Sequence, residues 1–339
     1  MKTSVNKGKE TIKSRGCAPG HAPICAPACA QTRPHTRNNM RIGLVDVDGH
    51  NFPNIALMKI ASWHRLQGDT AEWVFPFKPY DRIYMSKVFT FTPDDLTAYQ
   101  CRDIRRGGTG YDIKSRLPEE IDQHTGLAYD LYPQHHFSVQ FYSRGCIRNC
   151  PFCLVHDKEG MITPVKPMEW NPKAEWIEVL DNNFFANPEW RWAIQDLQKQ
   201  HLPIKFHGVD VRIMDEEQAM ALNSLRLKGG IHIAWDLPKI DLTEQLKAIT
   251  RHVKPYKITC YVLIGFNSTR EQDLFRLRTL KSLGILPFVQ PFRDYTNSRK
   301  PTQYELDLAR WANRGWLFKS MDFTDYSPRK GFKCAEYFK

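Results

Sequence analysis

The chain has 339 residues, 42% of them hydrophobic, and a net charge of +11. That length suits two domains or one large α/β unit with a sizeable core. No apolar run approaches the ~18 residues a membrane span needs. Nine cysteines at irregular spacing, in a chain too long to depend on disulfides, point to a soluble protein of a reducing compartment, the cytoplasm.

Residues 1–39 hold seven Lys/Arg (Lys2, Lys7, Lys9, Lys13, Arg15, Arg33 and Arg37) against one acid, Glu10, so more than half of the excess charge sits there. The remaining basicity is mild and does not by itself imply nucleic acid. This stretch has neither helical nor strand periodicity. "CAPGHAPICAPACAQT" spaces Cys17, His21, Cys25 and Cys29 at equal intervals, a conceivable metal set. Pro19, Pro23 and Pro27 forbid the helix that would align such ligands, and the reading is a disordered basic tail over 1–39. Met40 directly precedes the first regular run, so a start there stays open beside Met1.

"RIGLVDV" (41–47) predicts a buried strand, and "NIALMKIASWHRLQG" (54–68) a helix stopped by Gly68. "TAEWVF" (70–75) and "DRIYMSKVF" (81–89) predict further strands. This βαβ opening predicts a Rossmann-like layer over 40–130. No G-x-G-x-x-G follows the first strand. The glycines of "RRGGTGYD" (105–112) follow no predicted strand and are a weak dinucleotide signal.

From about residue 136 strands and helices alternate. Strands are predicted at 136–143, 175–181, 203–209, 230–236, 256–266 and 285–292. Helices are predicted at 188–200, 215–228, near 242–253, after 268 and at 303–315. Asp215 and Gln218 resemble a capping box, with Gly229 as terminator; Ser268 and Glu271 resemble another. Leu274, Leu277 and Leu280 share one face of the helix after 268. Six β/α steps predict a parallel sheet curved toward a barrel, with sites at the carboxyl ends of its strands.

At that place after the first step stands "SRGCIRNCPFCLVHDKEG" (143–160), with Cys146, Cys150 and Cys153 spaced C-x3-C-x2-C. Three thiolates leave one coordination position open, as a catalytic zinc or a 4Fe–4S cluster with one unligated iron requires. Zinc gains a closed Cys3His set if His156 joins. Cys101, Cys260 and Cys334 are isolated and read as small apolar residues.

Cys-x3-Cys-x-Phe-Cys after a first strand, with Phe152 before the last cysteine, resembles the signature of the radical S-adenosylmethionine (SAM) superfamily. The likeness spans roughly residues 136–292. It implies an α/β fold with a partial (β/α)6 radical SAM barrel over 136–316 and a C-terminal extension over 317–339. It implies an enzyme whose 4Fe–4S cluster, held by Cys146, Cys150 and Cys153, cleaves SAM reductively to a 5′-deoxyadenosyl radical that takes hydrogen from a substrate, here unassigned. A low-potential electron donor of flavodoxin or ferredoxin type is the implied partner. The contrasting reading is a non-catalytic zinc- or cluster-stabilised adaptor.

The resemblance also implies SAM contacts. Asp181, Asn182 and Asn183 replace the family's Gly-Gly-Glu run after the second strand. Arg212 is placed to pair with the methionine carboxylate. Phe152 lies near the adenine, and Gly265 permits close approach of the nucleoside. The same residues have plainer readings: an Asx turn, a solvated charge, loop packing and an eased turn. No catalytic residue is assigned.

A Rossmann-like unit ahead of such a barrel resembles the cobalamin-domain branch. The run Asp-x-His-x-x-Gly is not present; "DVDGHNFPN" (46–54) has Asp48 and His50 but Pro53 where Gly is required. The expectation is therefore a layer without cobalamin that closes the barrel mouth, with Asp46, Asp48 and His50 facing the cysteines. Residues 40–135 contain only Cys101, so a second cluster is not expected. "RKGFKCAEYFK" (329–339) mixes basic and aromatic residues, a weak pointer to nucleic acid.

Overall fold

The computed structural model describes residues 39–294 and 299–339. The expectations for Cys17, His21, Cys25, Cys29 and the basic tail fall outside the described residues.

The first sheet grows from β1 (Arg41–Asp46), α1 (Ile55–Leu66), β2 (Thr70–Trp73), β3 (Arg82–Ser86) and β4 (Ile104–Gly107), in the order β2-β1-β3-β4 with every pair parallel. In β1, Ile42 and Leu44 are fully buried, as a central parallel strand covered on both faces requires. Asn54 caps α1 by accepting from the Leu57 N–H at 3.3 Å. β4 corrects the sequence reading, because Gly107 ends a strand after all. Arg105 and Arg106 occupy its middle and are exposed, so this edge strand carries no apolar alternation to betray it. A single-turn α2 (Glu119–Asp122) follows.

The second sheet runs β5 (Phe137–Gln140), β8 (Trp176–Val179), β9 (Ile204–Val209), β10 (Leu227–Ala234), β11 (Ile258–Ile264) and β12 (Leu286–Pro291), neighbours in that order and all parallel. Between β5 and β8 the chain leaves the sheet. There β6 (Ser143–Arg144) and β7 (Thr163–Pro164) pair antiparallel at the base of a loop holding α3 (Val155–Glu159). The crossover helices are α4 (Trp190–Lys199), α5 (Glu216–Asn223), α6 (Thr243–His252) and α7 (Arg270–Ser282); α8 (Gln303–Ala312) and α9 (Gly315–Ser320) follow β12.

Two boundaries differ from expectation. α5 stops at Asn223 and β10 starts at Leu227. Gly229 and Gly230, both at positive φ, form an irregularity inside the strand rather than a helix terminator. The capping box of α7 is Thr269–Gln272, one residue beyond Ser268–Glu271, and Ser268 instead accepts from the Gly265 N–H. The Asp215–Gln218 box is formed.

Three apolar clusters hold the layers, the smallest around Val45, Tyr80, Ile83 and Met85 in the first layer. Phe206, Ile231, Val262, Leu277 and Trp311 belong to the core under the six-stranded sheet. Leu57 and Ile60 of α1 share a second core with Phe137 and Val139 of β5, so Asn39–Lys339 form one compact unit. Fully buried Arg276 of α7 ties two strand ends together: it pairs with Asp273 at 2.6 Å and donates to the carbonyls of Trp235 and Leu263. The C-terminal aromatics Phe332, Tyr337 and Phe338 pack back onto the main core, and Cys334 is buried. Among the described residues no helix is long and apolar enough to cross a membrane.

Candidate functional site

Cys146, Cys150 and Cys153 line one cavity of about 200 Å³, together with Phe152, Asn182, Asn183, Asp210 and Arg212. The loop is pinned at its base. Glu159 accepts from the Gly145 N–H at 2.8 Å, pairs with Arg144, and accepts from Asn182 at 2.8 Å. Gly145 sits at φ +81, and a Cβ there would lie 2.4 Å from the Met161 carbonyl oxygen. Only glycine lets the returning strand pass this close. The Cys146 N–H donates to the Gly160 carbonyl and the Cys153 N–H to that of Cys150.

The thiols are surrounded by fixed polar groups. Asp210 grips Arg212 as a fork, at 2.6 and 2.9 Å, and pairs with Arg148 at 3.2 Å. Burial opposes ionisation of Asp210, but the Arg212 hydrogen bonds outweigh it and hold the pKa below the ordinary value. Arg212 also reaches the Cys150 thiol. The Arg148 N–H lies 3.4 Å from the Cys146 sulfur, and Asn183 Nδ2 lies 3.9 Å from it. Burial pushes the Cys153 thiol up.

Each sequence-predicted residue has a definite place. Asn182, Asn183, Arg212 and Phe152 line the cavity, although Arg212 is already committed to Asp210. Phe152 stands edge-on to Phe266, centroids 5.4 Å apart. Asp181 does not line it: its carboxylate is 1% exposed and accepts from the Tyr142 N–H at 3.0 Å and Ser143 Oγ at 2.6 Å. Burial raises its pKa to about 6 against the pull of those two donors. Gly265 does not line it either. Its φ is +75, and a Cβ there would meet Glu305 at 2.5 Å beside the Glu305–Arg299 pair.

Asp46, Asp48 and His50 are also absent from the cavity, against the expectation that they face the cysteines. Asp46 accepts from Tyr132, Asp48 from Thr92 and the Val88 N–H, and His50 stacks on Trp73 at 4.3 Å. The carboxylates of Asp46 and Asp48 are thus held by Tyr132 and by the segment after β3. His156 is not in the cavity wall. Among the described residues no three His, Cys, Asp or Glu side chains surround one ion position.

The cavity continues onto residues the sequence reading passed over. His207, His232 and Tyr261 line it from β9, β10 and β11. His207 shares a hydrogen bond with buried Glu178 of β8, and His232 packs edge-on to Tyr261 at 5.4 Å. Burial, then His207 and Lys205, lower the His232 pKa and keep it neutral near pH 7. Asp236, two residues beyond β10, has a pKa raised by burial and accepts from the Leu263 N–H. A signal existed. "EVLD", "HGVD" and "HIAWD" each put a titratable residue inside a strand and an aspartate at or just beyond its end.

The cavity lies at the carboxyl ends of a six-stranded parallel sheet that follows a four-stranded parallel, Rossmann-like layer in the chain. No family model matches the chain, and no curated protein does. Among solved structures it is similar to TsrM of Kitasatospora setae, a radical S-adenosylmethionine methyltransferase with cobalamin and a 4Fe–4S cluster bound. The TM-score is 0.55 at 10% identity, over 75% of each chain. A second TsrM structure, with tryptophan substrate and the SAM analogue aza-SAM, gives 0.53 at 9% identity, over 74% of this chain and 72% of that one. This chain therefore has the α/β fold expected above. The expectation against cobalamin loses its support, because a protein of this fold holds that cofactor.

Proposed function

We propose that this protein is a radical SAM enzyme in which Cys146, Cys150 and Cys153 hold a 4Fe–4S cluster. The observation that supports the reading is that all three cysteines line one cavity beyond the carboxyl end of β5, whose wall does not include His156. When bound, such a cluster supplies a low-potential electron that breaks the C5′–S bond of SAM.

The chain's own residues then have separable tasks. Arg148 and Arg212 place positive charge beside the thiolates and are themselves held by Asp210. Asn183 is 1% exposed, and its Oδ1 has no hydrogen-bond partner. Its Nδ2 faces the Asp210 carboxylate at 3.4 Å, which fixes the amide orientation. A buried, unmet acceptor is costly without a donor, and the ammonium of SAM's methionine is such a donor. The substrate's place is the inner face of the half-barrel, where His207, His232 and Tyr261 bind polar groups and Phe152 closes the apolar side. Fixing a C–H bond there supplies proximity and excludes water.

The test is anaerobic reconstitution with iron and sulfide. About four irons per chain, a paramagnetic signal on reduction with dithionite, and 5′-deoxyadenosine formed from SAM are expected. All three should vanish when Cys146, Cys150 and Cys153 are replaced together by Ala. Iron binding that survives this replacement, or a loaded protein that leaves SAM intact, overturns the reading.

A further inference from the structure

A second cavity, of about 590 Å³, lies between α1, the ends of β3 and β4, and the base of the cysteine loop. It shares no lining residue with the cysteine cavity. Its size is that of a small-molecule site, and too small for a polymer strand.

The lining is unbalanced in charge. Lys59, Arg105, Arg106, Arg116, Arg144 and Lys158 contribute six cations; the acids contribute only Asp122, itself exposed. Three of the cations are satisfied by carbonyl oxygens alone. Lys59 Nζ donates to the Asp122 carbonyl at 2.6 Å, and Lys158 Nζ to that of Ser115 at 2.7 Å. Arg116 donates to the carbonyls of Ile113 and Ser115 at 2.9 and 3.0 Å. Among the described residues none of the three forms an ion pair with a carboxylate. Burial lowers the pKa of Lys59 and of Lys158; the guanidinium groups of Arg144 and Arg116 add to the effect, and the charges of Asp122, Asp112 and Glu159 offset it only in part. Lys59 and Lys158 are half-buried on one cavity wall with no carboxylate among the described residues in hydrogen-bond contact, an arrangement whose cost a bound anion offsets.

The rest of the wall is apolar: Leu57, Ile60, Tyr84, Met85, Leu117 and Phe141. We propose that this cavity is a separate binding site for a small organic phosphate, the phosphoryl group held by Lys59, Lys158 and Arg116 and the organic body lying on the apolar wall. A dianionic phosphoryl group only accepts hydrogen bonds, which matches a lining of ammonium and guanidinium donors. The two cavities share no lining residue, so the proposal does not rest on the cluster.

Isothermal titration of the purified full chain at low salt tests this, with phenyl phosphate as probe and benzyl alcohol as the uncharged comparison. Phenyl phosphate is expected to bind saturably, benzyl alcohol much more weakly, and added salt should weaken the former. Lys59→Met and Lys158→Met should each weaken phenyl phosphate roughly tenfold to a hundredfold, as loss of a charge-assisted hydrogen bond does. Lys59→Arg and Lys158→Arg, which keep the charge and disturb the wall least, should retain binding. No saturable binding of phenyl phosphate, or equal affinity in the Lys59→Met/Lys158→Met double variant, overturns the proposal. So does phenyl phosphate binding that added salt leaves unchanged.

Discussion

Asp181 offers a sharp test of how the structure redistributes a candidate site residue. Its carboxylate is buried beneath the start of the cysteine loop and titrates near 6 instead of the ordinary 3.8. Between those two values the unfolded chain has released its proton while the folded chain keeps it. Unfolding therefore releases a proton in this window, and raising the pH favours the unfolded state. Stability should fall from about pH 4 and level off above about pH 6, by about 3 kcal/mol from this group alone. Asp181→Asn keeps the shape and removes the charge. Its amide oxygen accepts from the Tyr142 N–H, and its NH2 donates to Ser143 Oγ, which is both donor and acceptor. Urea unfolding of the cluster-free chain, followed by circular dichroism from pH 4.5 to 7.5, measures the difference between the two proteins. The variant should gain on the parent as pH rises, by about 2 kcal/mol between pH 4.5 and pH 7.5. A difference that does not change with pH, or a variant less stable at pH 7, would refute the buried-clamp account of Asp181.

Arg276→Met leaves Asp273 buried without its cation and should cost about 3–5 kcal/mol, read as a lower urea midpoint. Gly145→Ala places a Cβ against the Met161 carbonyl at positive φ; a strain of about 1–3 kcal/mol should show as reduced iron uptake with little change in circular dichroism. Asn183→Leu removes the unmet acceptor and should weaken SAM about tenfold in equilibrium dialysis, with iron content unchanged. Unaltered SAM affinity would show that Asn183 Oδ1 meets no ligand.

The array of six strands was legible because each is a short apolar run between turn residues, and burial on both faces of a parallel sheet demands such runs. The cysteines were legible because their spacing is local and three thiols in a polar loop have few uses. β4 was not: "IRRG" has no apolar period, and it is a strand only because β3 lends it hydrogen-bond partners. The register of α5 and β10 was misread for a related reason. Gly229 looks like a helix stop until β9 is seen to pair with the chain on both sides of it, at Leu227 and Ile231.

The three residues Asp181, Asn182 and Asn183 show where sequence reasoning ends. By composition they are one polar turn after a strand. In three dimensions they part: Asp181 turns under Tyr142 and Ser143, Asn182 holds Glu159, and Asn183 faces Cys146 and Asp210. Side chains at the end of a strand point in different directions, and the partners that choose among those directions lie 23 to 39 residues away in the chain. The sequence by itself determined the order of strands and the cysteine loop, because local spacing and periodicity encode both. Which polar groups surround those thiols, and which are consumed in holding the loop, was decided only by the tertiary structure, because hydrogen bonds are made to whatever the fold brings near.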